Sequence, residues 1–255
     1  MKKLSVFMIV AFAVLLAVPA FAGNHIISNG IDLWRTPGDG TTFANFSKSS
    51  IPAGFFCNGS EPFTGRVVLK GVPIASSQGR ALGTTDTIIQ RLDNAAFNKR
   101  GVATTRIQMR AMQFESVAPL KTACGLFKVR VTLDGEQPVT TMRIVRDNEK
   151  GGRFFAPIWV NIKLSFEPIG RVTTEALELR KSLRFPPAPH AQWADNRGNV
   201  RVGGFVRVDT DSDGAPDTFL PGTSNFAAGR SSTNQKALLT CHEVEDEGSH
   251  CPLPE

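Results

Sequence analysis

Apolar and polar positions alternate with a period of two along most of this chain. Val67 and Leu69 oppose Arg66, Val68 and Lys70, and Ile107, Met109 and Ala111 oppose Arg106, Gln108 and Arg110. Successive side chains of a strand point to opposite faces, so the pattern predicts half-buried β-strands. The phase slips at Met112 and Phe114, which predicts a β-bulge. Phe127, Val129, Val131 and Leu133 share one face, the turn signal Asp134-Gly135 follows, and Val139 to Val145 resumes the alternation. After the loop 147–152, Ile158, Val160, Ile162, Leu164 and Phe166 align again. The expected arrangement is an antiparallel meander with one face buried and one wet.

Helical signals are few. Thr84 to Phe97 has room for one or two turns. In Thr174 to Leu183 the alternation of Leu177, Leu179, Leu183 and Phe185 with Glu178, Arg180, Ser182 and Arg184 fits a strand better. The class is therefore mainly β, as an antiparallel β-sandwich. A proline-rich stretch at 186–192 (PPAPHAQ) and a composition shift after Pro168 suggest a β-sandwich domain over 23–170 and a smaller β module over 171–255. The alternative is one continuous β domain over 27–220.

The first residues change the expected location. Lys2 and Lys3 precede an apolar run from Val6 to Val18, Pro19 breaks it, and Ala20-Phe21-Ala22 supplies small residues at a cleavage point before Gly23. That is the pattern of a secretory signal peptide over residues 1–22. The mature chain is expected to be exported, periplasmic or extracellular, with no membrane span after cleavage, because no later apolar run reaches membrane length. The formal net charge of +6 is dispersed along strand faces rather than gathered in a stripe with stacking aromatics, so nucleic acid is not an expected partner. A cell-envelope surface or a carbohydrate is the more compatible one.

Export also bears on the four cysteines. In an oxidising compartment an even number favours disulfides, and proximity suggests Cys241–Cys251, leaving Cys57–Cys124. The competing reading of the tail CHEVEDEGSHC is a zinc site of Cys241, His242, His250 and Cys251. Adjacent Cys-His pairs depart from the usual zinc spacings, so the disulfide is preferred. Glu243, Glu245, Asp246 and Glu247 read as a solvated acidic tail.

The stretch VRVDTDSDGAPDTF carries the clearest chemistry. Asp209, Asp211 and Asp213 occupy positions 1, 3 and 5 of a loop, Gly214 position 6, Ala215 position 7 and Asp217 position 9. Alternate side chains on a tight loop converge, and calcium takes six to eight hard oxygens at flexible geometry. This D-x-D-x-D-G-x-x-D run resembles calcium loops of EF-hand type, and more closely the aspartate-rich loops of thrombospondin type 3 repeats. The resemblance covers residues 209–217. It implies a structural Ca2+ held by the side chains of Asp209, Asp211, Asp213 and Asp217 and the carbonyl of Ala215. Leu220 stands where an EF-hand has its bidentate Glu, and the flanks are strand-like, so no helix-opening switch is expected. The competing reading is an ordinary Asp-Gly turn.

Nucleophile elbows, zinc-protease helices and phosphate loops are missing from the sequence, and no catalytic or cofactor-binding residue is assigned. His190, near Trp193 and Asp195, reads as a packed loop histidine. The expected function is an exported non-catalytic β protein, a binding, adhesion or envelope-associated module braced by disulfides and one calcium. The alternative is a secreted hydrolase acting on polysaccharide. Trp34, Trp159 and Trp193 discriminate: exposed on one face they would form a carbohydrate platform, and buried they would not.

Overall fold

The computed structural model describes residues 25–36, 38–40, 42–74, 82–170, 175–185, 191–195, 204–210, 215–228 and 243–244. The strands are β1 (Ile26–Ile27), β2 (Gly30–Trp34), β3 (Phe43–Asn45), β4 (Arg66–Gly71), β5 (Thr87–Arg91) and β6 (Ala95–Ala96). Then come β7 (Val102–Ser116), β8 (Leu120–Thr122), β9 (Gly125–Leu133), β10 (Val139–Asn148), β11 (Gly151–Phe155) and β12 (Ile158–Pro168). The last are β13 (Leu177–Phe185), β14 (Gln192–Asp195), β15 (Val206–Val208), β16 (Thr218–Leu220), β17 (Phe226–Ala228) and β18 (Glu243–Val244). The fold is mainly β and antiparallel, and the described residues contain no helix, hence none long and apolar enough to cross a membrane.

Two sheets face each other and share β7. One sheet runs β13-β12-β9-β7-β4-β3, and the other β17-β14-β11-β10-β7-β5-β2. The predicted meander is corrected here. Gly135 does turn the chain, with φ +62°, yet β9 and β10 do not pair with each other. Both pair with β7: β9 along Gln113–Glu115 and β10 along Val102–Gln108. The Asp134-Gly135 turn is thus a corner between sheets, and Ala156-Pro157 between β11 and β12 is another. Strands that change sheets at bends wrap one core in a way a flat meander cannot. The core between the sheets gathers Val67, Leu69, Ile107, Met109, Val129, Val131, Ile144, Phe154 and the aligned face of β12.

The predicted bulge is present. Ile88 pairs with Ala111 and Ile89 with Met109, so Arg110 is the extra residue on β7. Beyond it, Ala111 and Met112 are both buried, on opposite faces. Met112 joins the main core, whereas Ala111 joins a second cluster with Ile31, Ile74, Leu82, Ile88, Val208 and Leu220. Burial on both faces also explains why Thr87–Arg91 is a strand rather than a turn of helix. Ile88 and Ile89 enter different clusters, which suits a continuous β-branched run in a central strand.

Position 170 falls between β12 and β13, which pair from Ile158–Phe185 to Phe166–Leu177. Further on, β14 pairs with β11 and β17 with β14, extending the second sheet. Within the acidic tail, Glu243–Val244 lies parallel to Phe43–Ala44.

The two ends of the second sheet meet through a buried cation. Arg91 is fully buried; its Nε and Nη2 donate to the Asp32 carboxylate, Nη2 to Ser224 Oγ at 2.7 Å, and Nη1 to the carbonyl of Ser28. Ile31 N–H donates to the Gly222 carbonyl at 3.1 Å, and Asn225 clasps the backbone of Ile26 and Ser28. Burial pushes the Asp32 carboxyl up, against the opposing pull of Arg91. A second buried carboxylate, Asp86, accepts from the Thr36 backbone and from the Thr36 and Thr87 hydroxyls. It lies where any side chain at Gly71 would collide with it.

The expected disulfide Cys57–Cys124 is formed, with Cα atoms 5.9 Å apart and a sequence separation of 67. It ties the loop after Ile51 to the β8–β9 turn. Cys241 and Cys251 lie outside the described residues.

Replacing Arg91 with Ala would strand the Asp32 carboxylate. Denaturant unfolding should show a loss of about 3–5 kcal/mol; a loss under about 1 kcal/mol would mean water reaches the site. Cys57→Ser with Cys124→Ser should cost about 4 kcal/mol by the loop-entropy model, measured the same way.

Candidate metal loop and the cleft beside it

The acidic loop is mounted on the β15–β16 hairpin, registered Val206–Leu220, Arg207–Phe219 and Val208–Thr218. Val208 and Leu220 point inward and complete the second cluster, while Phe205, Arg207 and Phe219 are exposed, with the Arg207 guanidinium 5.5 Å from the Phe219 ring centre. Leu220, which stands where an EF-hand has its bidentate Glu, therefore belongs to packing.

At the loop's entry Asp209 is buried at 3% exposure, and Gln113 Nε2 donates to its carbonyl at 2.9 Å. At its exit Asp217 N–H donates to the Val208 carbonyl at 2.9 Å. The Thr210 hydroxyl donates to Asp217 Oδ1 and Oδ2 at 3.1 and 2.9 Å, and the Thr210 amide to Oδ1 at 3.2 Å. Burial acts to raise the Asp217 carboxyl, but the hydrogen bonds from Thr210 and Thr218 outweigh it and hold it below the usual aspartate value. Asp209 and Asp217 are thus brought to the two legs of one loop, and Ala215 is exposed between them. Asp211 and Asp213 lie outside the described residues. Among the described residues, which include only Asp209 and Asp217 of this loop's aspartates, no group of three or more His, Cys, Asp or Glu is close enough to share an ion.

A cleft of about 280 Å³ opens beside the hairpin, lined by Gln108, Met109, Arg110, Leu133, Gly135, Glu136, Gln137, Thr210 and Thr218. It lies where the β7 bulge, the β9–β10 corner and the loop's two threonines meet. Its wall is pinned by side-chain hydrogen bonds. Gln137 Nε2 donates to the carbonyls of Asp134, Gly135 and Asn161 at 3.1, 3.1 and 3.0 Å, and its Oε1 accepts from Asn161 N–H at 2.9 Å. Gln108 Nε2 donates to the Gln137 carbonyl at 2.7 Å, and its Oε1 accepts from Arg110 Nη1 at 2.7 Å. A second cavity, lined by strands of the first sheet and the loop after β3, holds about 30 Å³ near Phe46 and Lys181, suited to a water or two.

The other singled-out residues separate. Trp193 is fully buried, donating from Nε1 to the Val145 carbonyl, and Trp34 is buried, while Trp159 is 45% exposed under Arg184. A three-tryptophan platform is not formed. His190, His242 and His250 lie outside the described residues. Asp195 instead meets His25, with Nε2 to Oδ2 at 3.3 Å, and His25, Phe97, Trp193 and Phe226 stack in a column at 5.7, 6.0 and 5.3 Å. On the outer face of the first sheet, charges interleave: Glu115 bridges Lys70 and Lys128, Glu167 holds Arg130, and Glu178 holds Lys163 and Arg180.

Comparison with protein-family models, curated proteins and solved structures gives no match in any of the three.

Because the folded Asp217 carboxyl titrates below its ordinary value of 3.8, its contribution is present above that value and lost as pH falls through the lower folded one. Thr210→Val should flatten the fall in thermal midpoint between about pH 5 and about pH 2. An unchanged acid limb would show that the clasp does not act on stability.

Proposed function

We propose that this is an exported, non-catalytic β protein, a binding or envelope-associated module braced by disulfide bonding and by one structural calcium in the 209–217 loop. The observation that carries the reading is where the acidic loop is mounted. Its hairpin places Val208 and Leu220 as the cover of the second apolar cluster, so drawing the two legs together would hold that cover on Ile31, Ile88 and Ala111. An ion there would act on stability, not on chemistry.

Three features support the metal reading over a plain turn. The D-x-D-x-D-G-x-x-D spacing exceeds what a turn needs. Asp209 is largely removed from water at the loop's entry, where a carboxylate gains from a cation. Asp217 is held ionised by hydrogen bonds from Thr210 and Thr218, so its carboxylate carries the charge that an ion needs. Export to a compartment where calcium is plentiful is the expectation from the leader-like residues 1–22.

Thermal unfolding of the oxidised mature chain tests this directly. Calcium at about 100 times its dissociation constant should add about 2.7 kcal/mol, a rise of several degrees relative to chelator. Asp211→Asn with Asp213→Asn should abolish the rise while leaving the chelated midpoint nearly unchanged. An identical midpoint with calcium and with chelator would leave the loop as an ordinary turn.

A further inference from the structure

We propose that the cleft between the β7 bulge and the acidic hairpin is a binding site for a small hydroxylated carboxylate of the sugar-acid class, with Arg110 as the residue that reads the carboxylate. The assignment gives a ligand class to the binding role proposed above and rests on that role, not on the calcium.

A β-bulge re-aims the side chain it inserts, and here that side chain is a guanidinium. Arg110 is half-buried and is held from one side by the relay Arg110 to Gln108 to the Gln137 carbonyl. Gln137 is anchored in turn by its bonds to Asp134, Gly135 and Asn161. Gln108 engages Nη1 alone. Among the described residues no carboxylate stands within ion-pair distance of Arg110, whereas Arg106 on the same strand holds Asp93 and Arg130 on β9 holds Glu167. A fixed, half-desolvated guanidinium fork presents parallel donors that match the two oxygens of a carboxylate.

The remaining lining sets the rest of the ligand. The Thr210 and Thr218 hydroxyls bond to Asp217, which leaves their oxygens to accept, and Glu136 in the same lining brings an acceptor-only carboxylate. Such groups suit ligand hydroxyls. Half-buried Leu133 supplies apolar surface of the kind that packs on the C–H face of a sugar ring. At about 280 Å³ the cleft is just below the range of about 300–1,000 Å³ for drug-sized ligands and matches a single ring. A neutral sugar would leave the guanidinium unanswered, and a bare small anion would leave Glu136 facing it.

Titration calorimetry of the oxidised mature chain with sodium glucuronate, with glucose alongside, tests the assignment. Saturable glucuronate binding is expected, with glucose at least about tenfold weaker. Arg110→Gln should weaken glucuronate about tenfold or more and leave glucose unchanged, at an unaltered thermal midpoint that excludes misfolding. Glu136→Gln should weaken both ligands. Absence of saturable glucuronate binding, equal affinity for the two sugars, or an Arg110→Gln variant that binds like the parent would each overturn the proposal. Running the titrations with calcium and with chelator keeps the two readings apart. A calcium-raised midpoint without glucuronate binding removes the cleft assignment alone, and glucuronate binding without a calcium shift removes the metal reading alone.

Discussion

One strand has to serve two sheets, and most of the architecture follows from that constraint. β7 pairs with β10 and β5 along its first half and with β9 and β4 along its second. A straight strand cannot face two sheets that pack on each other, so the backbone must bend where the partners change. The extra residue at Arg110 supplies the bend. Past it, alternation gives way to burial on both faces, because Met112 lines the main core while Ala111 backs the cluster covered by Val208 and Leu220. The same bend creates the concavity that the acidic hairpin borders. Fold and candidate site thus share one physical origin.

Closing the second sheet poses a different problem, since its edge strands would otherwise expose unpaired backbone. The solution is polar and buried. Arg91 joins Asp32 on β2 to Ser224 before β17, and the stack His25, Phe97, Trp193 and Phe226 runs alongside, with the Arg91 guanidinium 4.8 Å from the Phe226 ring. A buried ion pair adds little net stability compared with a well-packed apolar pair. What it adds here is specificity of partner: a strand lacking Asp32, or a loop lacking Ser224, would leave the guanidinium unsatisfied. The segment that bears the acidic loop is therefore anchored to β1 and β2 on the C-terminal side of its hairpin.

Some of this was legible before any coordinates. The facing sets Val67 and Leu69, Phe127 to Val131 and Ile158 to Phe166 are buried as their alternation predicts, and the phase slip near Met112 marks a real bulge. Cys57–Cys124 followed from counting and from compartment. The cleft was not legible. Gln108, Arg110 and Gln137 look like ordinary wet-face residues, because periodicity reports which face a residue takes and not what lies opposite. Arg91 was hidden in the same way, sharing a face with Ile89 at a position where alternation expects an apolar side chain.

The sequence by itself determined the strand class, the faces and the bulge, because each depends on local stereochemistry, and the even count of four cysteines pointed to the first disulfide. It also specified the spacing of Asp209, Asp211, Asp213 and Asp217, which is a property of a single loop. Tertiary structure alone decided that β9 and β10 meet at β7 instead of each other, that Asp32 answers Arg91, and that Arg110 and Thr210 line one cleft. Those contacts join residues far apart in the chain. Their geometry is set by how two bent sheets close around a common core, and no local pattern encodes it.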